Sequence, residues 1–489
     1  MGLFGIVLAL AVLMALAFRG WTILLLAPAA ALVAAAFSGE PLLAHWTQTF
    51  MGAAAGFVAQ FFPLFLLGAL FGKLMDDTGS VNAIAEYMTE TLGPKRAILA
   101  VVLAGALVTY GGVSLFVAFF VIAPMGQALF RAGAVPKRLL PAAVALGTST
   151  FTMSALPGTP SIQNAIPMPF FGTTAFAAPG LGIIAAAVMF GFGTWWLGLR
   201  QRQAEAANEG YGADQTPEAA EDGIASIPDE VTIRELATTA REFDPKEITS
   251  AGKATKPAPI WIAVLPLVVV VIVNLLASKI ILPQMDFAFL AEPEWGSTSI
   301  GAIGGVWAVA LALLSGILVL LATSFHRLPA LRDSVDAGCN ASVLPIMSVA
   351  SLVGFGAVVA ALPAFQLVQE WVLNIGGGPL VSLAVATNIL SALTGSASGG
   401  MTIALDALGP TFMLLAAETG LDPQILHRVA VISSGTLDSL PHNGAVVTML
   451  AVCGCTHKES YLDIVMVAVV GALLALIAVI VLGGVFGSF

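Results

Sequence analysis

Long apolar runs separated by short polar breaks fill this chain. Before residue 200 they cover roughly 2–18, 21–38, 50–72, 97–130, 138–172 and 177–198; after 258 they cover roughly 259–282, 299–322, 340–362, 378–417, 428–452 and 462–487. Runs near 20 residues suit a helix crossing the hydrocarbon core of a bilayer. The pattern predicts an all-α polytopic membrane protein, its first run a membrane helix rather than a cleaved leader. The stretch 200–257 differs, being rich in Ala, Glu, Asp and Thr and interrupted by Pro217, Pro228, Pro245 and Pro257. It predicts a polar, solvent-exposed linker with marginal local helices. The expected domains are a first transmembrane repeat over 1–199, the linker over 200–257 and a second transmembrane repeat over 258–489.

Two kinds of polar break recur in both halves. The first half carries Thr109-Tyr110-Gly111-Gly112-Val113-Ser114, then Gly147-Thr148-Ser149-Thr150 leading to Leu156-Pro157-Gly158-Thr159-Pro160-Ser161-Ile162-Gln163-Asn164. The second carries Thr394-Gly395-Ser396-Ala397-Ser398-Gly399-Gly400, then Ser433-Ser434-Gly435-Thr436 leading to Leu437-Asp438-Ser439-Leu440-Pro441-His442-Asn443-Gly444. Such breaks free backbone groups that lipid cannot satisfy, so at membrane depth they belong in a cavity lining. Their placement predicts a re-entrant hairpin near 97–130 and another near 378–417. Broken helices are expected near 138–172 and 428–452.

Counting three spans, one hairpin, one broken span and one final span gives five crossings per half. An odd number inverts the second half relative to the first, the inverted-repeat architecture of many carriers. Lys and Arg positions agree. With both termini outside, 17 of the 19 basic residues fall inside, and only Lys279 and Arg428 fall outside. The linker is then cytoplasmic. Trp21, Trp46, Trp261 and Trp295 near span ends read as an aromatic belt.

Composition narrows the function. Hydrophobic residues make up 58% and charged residues 10%, with a mean hydropathy of +0.95; soluble domains carry about a quarter charged residues. The net charge of -10 owes -5 to residues 200–257, so it does not describe a binding face. No basic cluster suits nucleic acid, and no phosphate-binding loop suits an ATP-driven pump. Cys339, Cys453 and Cys455 lack redox or zinc spacing. No metal and no cofactor is expected, and no nucleophile stands near a base, which excludes an enzyme.

The breaks themselves carry the candidate chemistry. Half-helix N-termini attract anions. The hydroxyls of Ser114, Thr159, Ser161, Ser396, Ser398 and Ser439 and the amides of Gln163, Asn164 and Asn443 can bond a hydroxylated ligand. Close packing of small residues is the alternative reading; it suits Gly68, Gly72, Gly354 and Gly356. Charge within the spans is scarce, so each case is informative. Asp438 reads as a proton-coupling carboxylate or ion ligand, or else as a structural helix cap. His442 reads as a contact for a carboxylate ligand, or else as a core histidine. Asp406 is a second coupling candidate. Neither half places Lys or Arg at its breaks, which leaves His442 as the candidate cation. Lys73, Asp76 and Asp77 read as an interfacial anchor.

The stretch from Ala145-Leu146-Gly147-Thr148-Ser149-Thr150 through Leu156-Pro157-Gly158-Thr159-Pro160-Ser161-Ile162-Gln163-Asn164 resembles the signature of the gluconate permease (GntP) family, and the likeness runs over nearly the whole chain. The resemblance implies a symporter for sugar acids or small hydroxy-carboxylates, usually coupled to protons, with sodium as the alternative. More distantly, the hairpins and broken helices resemble the ion transporter superfamily, which implies a homodimer with an elevator motion. On that likeness the site maps to Gly111, Gly112, Ser114, Gly158, Thr159, Ser161, Gln163, Asn164, Ser396, Ser398, Gly399, His442 and Asn443. The stretch Asp438-Ser439-Leu440-Pro441-His442-Asn443-Gly444 is more similar to the branch that carries hydroxybutyrate-type and other short carboxylates. The implied partners are a small organic anion, H⁺ or Na⁺ and the lipid of a bacterial inner membrane. An anion channel lined by the same breaks is the rival of another class.

Overall fold

The computed structural model describes residues 1–18, 21–212, 258–441 and 443–489. Most of the linker, 213–257, lies outside them. Most apolar runs coincide with a helix or a pair of helices, whereas 138–172 divides into the short helices Leu140–Thr148, Phe151–Ser154, Ile162–Ala165 and Pro167–Phe171. Among the described residues eight helices are long and apolar enough to cross a membrane: Leu42–Asp77, Leu115–Ala132, Pro179–Ala206, Ile260–Gln284, Ile300–Arg327, Leu331–Ala361, Ala397–Thr419 and His457–Phe486. The pair Ser80–Leu92 and Pro94–Tyr110, bent by 101°, would make nine. The protein is an all-helical, multi-span membrane protein.

Helix ends follow the local sequence. Pro179, Pro379 and Pro423 open their helices, where the missing N–H costs nothing. Asp422 caps the last of these by accepting from the amide of Gln424 at 2.8 Å. The expected hairpins are helix–turn–helix pairs whose arms pack together: Ala97–Tyr110 with Leu115–Ala132, and Pro379–Thr394 with Ala397–Thr419. Each turns on a glycine in the left-handed region, Gly112 at φ +100 and Gly395 at φ +63, where a side chain would be strained. A Cβ at Gly400 would run into the backbone of Ser391 on the opposite arm.

Corresponding helices in the two halves pack in corresponding ways. Gly2–Phe18 pairs with Ile23–Ser38 as Ile260–Leu276 pairs with Ile300–Ser324. The first arm of each hairpin packs on the first arm of its broken helix, Leu140–Thr148 in one half and Pro423–Ser434 in the other. Across the halves, Met51–Asp77 packs on Val343–Ala361, and Pro179–Ala206 on Gly471–Phe486.

Several boundaries differ from the sequence reading. Ser80–Leu92 and Phe365–Leu373 are extra helices, each just ahead of a hairpin. They carry Asn82, Glu86 and Glu90, or Gln366, Gln369 and Glu370, so a search for apolar runs passes over them. The third run is part of a 36-residue helix, about 54 Å long at 1.5 Å per residue. The second arms of the hairpins span 18 and 23 residues, so their length alone does not mark them as too short to cross. Helix Pro179–Ala206 runs past residue 199 into the expected linker. Beyond it, the amide of Lys137 donates to Tyr211 O at 3.1 Å, and Arg131 lies over the Tyr211 ring.

Lys73, Asp76 and Asp77 are not an exposed anchor. They are at most 1% exposed, and Lys73 Nζ pairs with Asp77 Oδ1 at 3.0 Å. The 36-residue helix continues beyond the expected end at residue 72, and Lys73 packs against helix Leu331–Ala341. There Gly338 leaves room for the Lys73 stem. Trp21, Trp46, Trp261 and Trp295 are exposed.

Candidate functional site

The four breaks converge on two neighbouring cavities. The larger, of about 150 Å³, is bounded by Gly112 and Ser114 of the first hairpin turn, Ser161 and Gln163 of the first broken helix, and Ser398 beside the second hairpin turn. Gly68 and Ser342, from the third helix of each half, complete the wall. The smaller, of about 50 Å³, is bounded by Ser149, Ser154 and Gln163 on one side and Ala397, Gly435, Asp438, Ser439 and Asn443 on the other. Leu115, Met153 and Gln163 line both. Gln163 is 9% exposed, and its Oε1 is buried with no hydrogen-bond partner among the described residues.

Local geometry explains which groups face this space. Asn443 caps helix Gly444–Val452, its Oδ1 accepting from the amides of Ala445 at 2.7 Å and Val446 at 3.2 Å. Ser439 Oγ donates to Asp438 Oδ1 at 3.1 Å. The second break is fixed from outside by Tyr461, whose hydroxyl donates to Ser439 O at 3.2 Å, and by His457 Nε2 against Pro441 O at 2.8 Å.

The remaining sequence candidates lie elsewhere. Gly111 packs on Leu267 and Gly399 on Leu352. Gly158, at φ +83, packs under the Phe176 ring. Thr159 is fully buried and its carbonyl accepts from Asn164. Ser396 caps its own helix, accepting from the amide of Gly399 at 3.1 Å. Asp406 sits on an exposed face of Ala397–Thr419 and lines neither cavity. His442 lies outside the described residues. Gly68, read as a packing glycine, instead has open space beside it in the cavity wall, whereas Gly354 and Gly356 pack closely on Phe50 and Ile403.

Relatives now fix the family. The chain is 38% identical, over 489 residues and 98% of both proteins, to an uncharacterised transporter, YxjC, of Bacillus subtilis (strain 168). A profile of GntP family permeases matches residues 1–189. The chain belongs to the GntP permease family. It is therefore a transporter and not an enzyme. A low-affinity gluconate transporter of Escherichia coli (strain K12) is 42% identical over 71 residues, 14% of this chain and 15% of that protein. The fold is shared with solved structures of two transporters. MtrF of Neisseria gonorrhoeae, reported as illuminating a class of antimetabolite efflux pumps, has a TM-score of 0.54 at 15% identity and covers 91% of this chain and 85% of its own. YdaH of Alcanivorax borkumensis, reported to have an unusual topology, has 0.53 at 17%, covering 91% and 88%.

In this GntP permease the first break is held by residues that sequence reasoning missed. Arg428, expected at the outer end of its span, is fully buried. Its guanidinium donates to Ala177 O at 2.7 Å, to Ser154 O at 3.4 Å and to Asn164 Oδ1 at 3.4 Å. A cation therefore does reach a break. Asn164 is no free ligand group: its Nδ2 donates to Thr159 O and Ala175 O, both at 3.0 Å. That orientation makes Oδ1 the acceptor for His427 Nε2 at 3.2 Å, and the other ring nitrogen of His427 meets Thr173 Oγ1 at 2.6 Å. Asn274, buried in helix Ile260–Leu276, donates to Gly158 O at 3.0 Å. Asn274, His427 and Arg428 each sit in apolar or weakly polar sequence, and a buried polar residue there was the available signal.

Proposed function

We propose that this permease is a secondary active carrier. On this reading it imports a small hydroxy-carboxylate, such as D-3-hydroxybutyrate, with a proton across the bacterial inner membrane. The convergence of four interruptions from both halves on two cavities sharing Gln163 carries the reading, because paired broken helices at a repeat interface are where carriers bind. A cavity of about 150 Å³ is of the order that holds a small organic molecule such as benzene, which suits a small acid as ligand. The gluconate transporter among the relatives supports an organic acid as ligand class.

In this account Ser114, Ser161, Gln163, Ser398 and Asn443 bond the ligand, with His442 a further contact, and Asp438 carries the proton. The corresponding packing of the two halves supports an inverted repeat, and the hairpins then enter from opposite faces. With Lys73 and Arg428 buried, 16 of the 17 other basic residues would lie on the cytoplasmic side, leaving both termini outside. Closure of the hairpin tips around ligand and ion would let the loaded core cross as an elevator within a homodimer.

Sodium coupling is the second reading, favoured by the hydroxyls of Ser114, Ser161 and Ser398 around the larger cavity. The test is uptake of labelled D-3-hydroxybutyrate into sodium-free proteoliposomes under an inward proton gradient, with unlabelled gluconate as competitor. Accumulation without sodium is expected, with weak competition by gluconate. Accumulation only with sodium would move Asp438 to the role of ion ligand. Unitary currents without counterflow would make the protein a channel.

A further inference from the structure

Arg428 places a full positive charge immediately behind the smaller cavity. All of its hydrogen-bond acceptors are neutral: Ala177 O, Ser154 O and Asn164 Oδ1. Among the described residues no carboxylate lies within 4.0 Å of the guanidinium. Its neighbour His427 is satisfied as a neutral ring, Nε2 donating to Asn164 and Nδ1 accepting from the hydroxyl of Thr173. Only one layer separates the charge from the cavity. Ser154 forms part of the cavity wall, and Asn164 follows the wall residue Gln163.

Burying a cation without a paired anion is costly, and a neutral donor could hold the same three acceptors at a smaller penalty. What only a charge supplies is a potential. In a site of low or intermediate effective dielectric, that potential reaches across several ångströms. Asp438 lies in the same wall and opposes it, so the net field depends on both groups.

We infer that Arg428 is the specificity-determining counter-charge of the site. It does not touch the ligand; its field makes the cavity take an anion, a monocarboxylate in the first instance, in preference to a neutral or cationic molecule of the same shape. The inference rests on the proposed binding site but not on the identity of the substrate.

The test uses the full chain with Cys339→Ser, Cys453→Ala and Cys455→Ala, and Gln163→Cys as reporter. The probes are two methanethiosulfonates of similar size, one bearing a sulfonate and one a trimethylammonium group. Each modification rate is divided by the rate for a free thiol. The sulfonate is expected to be favoured at the reporter. Arg428→Gln should lower that preference about a hundredfold or more, because one charge several ångströms away at intermediate dielectric shifts the two oppositely charged probes by about tenfold or more each, in opposite senses, whereas Arg428→Lys should keep most of it. An unchanged preference in Arg428→Gln would reduce the residue to a structural tie. Should that variant fail to fold, a reporter that does not favour the sulfonate with Arg428 in place overturns the inference by itself. No substrate is used, so failed uptake of a hydroxy acid leaves this readout standing.

Discussion

The side-chain amide of Asn443 donates to the carbonyl of Gly395 across 2.8 Å, tying the second break to the turn of the second hairpin. The same side chain caps the helix that follows the break. One residue thus holds two of the four site segments in register. Asn443→Asp keeps the capping acceptor and removes the donor; Asn443→Ala removes both. A cap is worth about 1 kcal/mol and a neutral hydrogen bond about the same. Thermal unfolding in detergent should therefore rank wild type above Asp above Ala. Counterflow should already fall in the Asp variant, and wild-type counterflow there would mean the tie is idle in transport.

Lys73 and Asp77 form an ion pair almost wholly removed from solvent. Removing one partner of such a pair leaves a buried charge and costs about 3–5 kcal/mol, while replacing both with apolar residues is often neutral. Lys73→Met should lower the unfolding temperature strongly. Lys73→Met with Asp77→Leu should recover most of the loss. A single variant as stable as wild type would contradict this account.

Arg138 holds the Glu209 carboxylate at the start of the linker, with Nε to Oε1 at 2.6 Å. Its other side reaches Asp463 at 3.2 Å. The hydrogen bond from Arg138 pulls the Glu209 carboxyl below its usual range. The folded-state value is the lower one, so the stabilisation is present above the unfolded value and is lost as pH falls through the folded one. Solvent screening keeps it below about 1 kcal/mol. Glu209→Gln should therefore lower the unfolding temperature slightly at neutral pH and not at all once pH falls below the folded value. A difference that persists at that acid end would assign the effect to packing instead.

Asp438 tests the coupling. Asp438→Asn should abolish uptake driven by a proton gradient and spare counterflow, which needs no net proton movement. Equal loss of both would remove Asp438 from the proton path.

Much of the fold was legible because lipid enforces its pattern: each span needs a long apolar run, and each glycine-rich turn stands out against it. The helices Ser80–Leu92 and Phe365–Leu373 were not legible, because their polar residues look like loop. Among the candidates, Gly112, Ser114, Ser161, Gln163, Ser398, Asp438 and Asn443 line the two cavities, because the breaks that marked them in the sequence open the backbone there. Asn164, Thr159 and Gly158 sit in the same motif but turn inward to hold it together. Arg428 escaped because its partners lie more than 250 residues away, Ala177 by 251 and Ser154 by 274. Position along the chain assigned it to an interface, and only packing brings it to the first break.

Gln163 offers the most direct test of the claim that the two cavities are one carrier site. Its buried Oε1 already lacks a partner, so Gln163→Leu relieves a desolvated polar group and should leave the unfolding temperature unchanged or slightly raised. If the amide binds the ligand, losing it should raise the half-saturation concentration in D-3-hydroxybutyrate counterflow about tenfold or more, as expected where a site hydrogen-bonds its ligand. Stability kept and affinity lost is the predicted result. Stability kept with unchanged counterflow would contradict it.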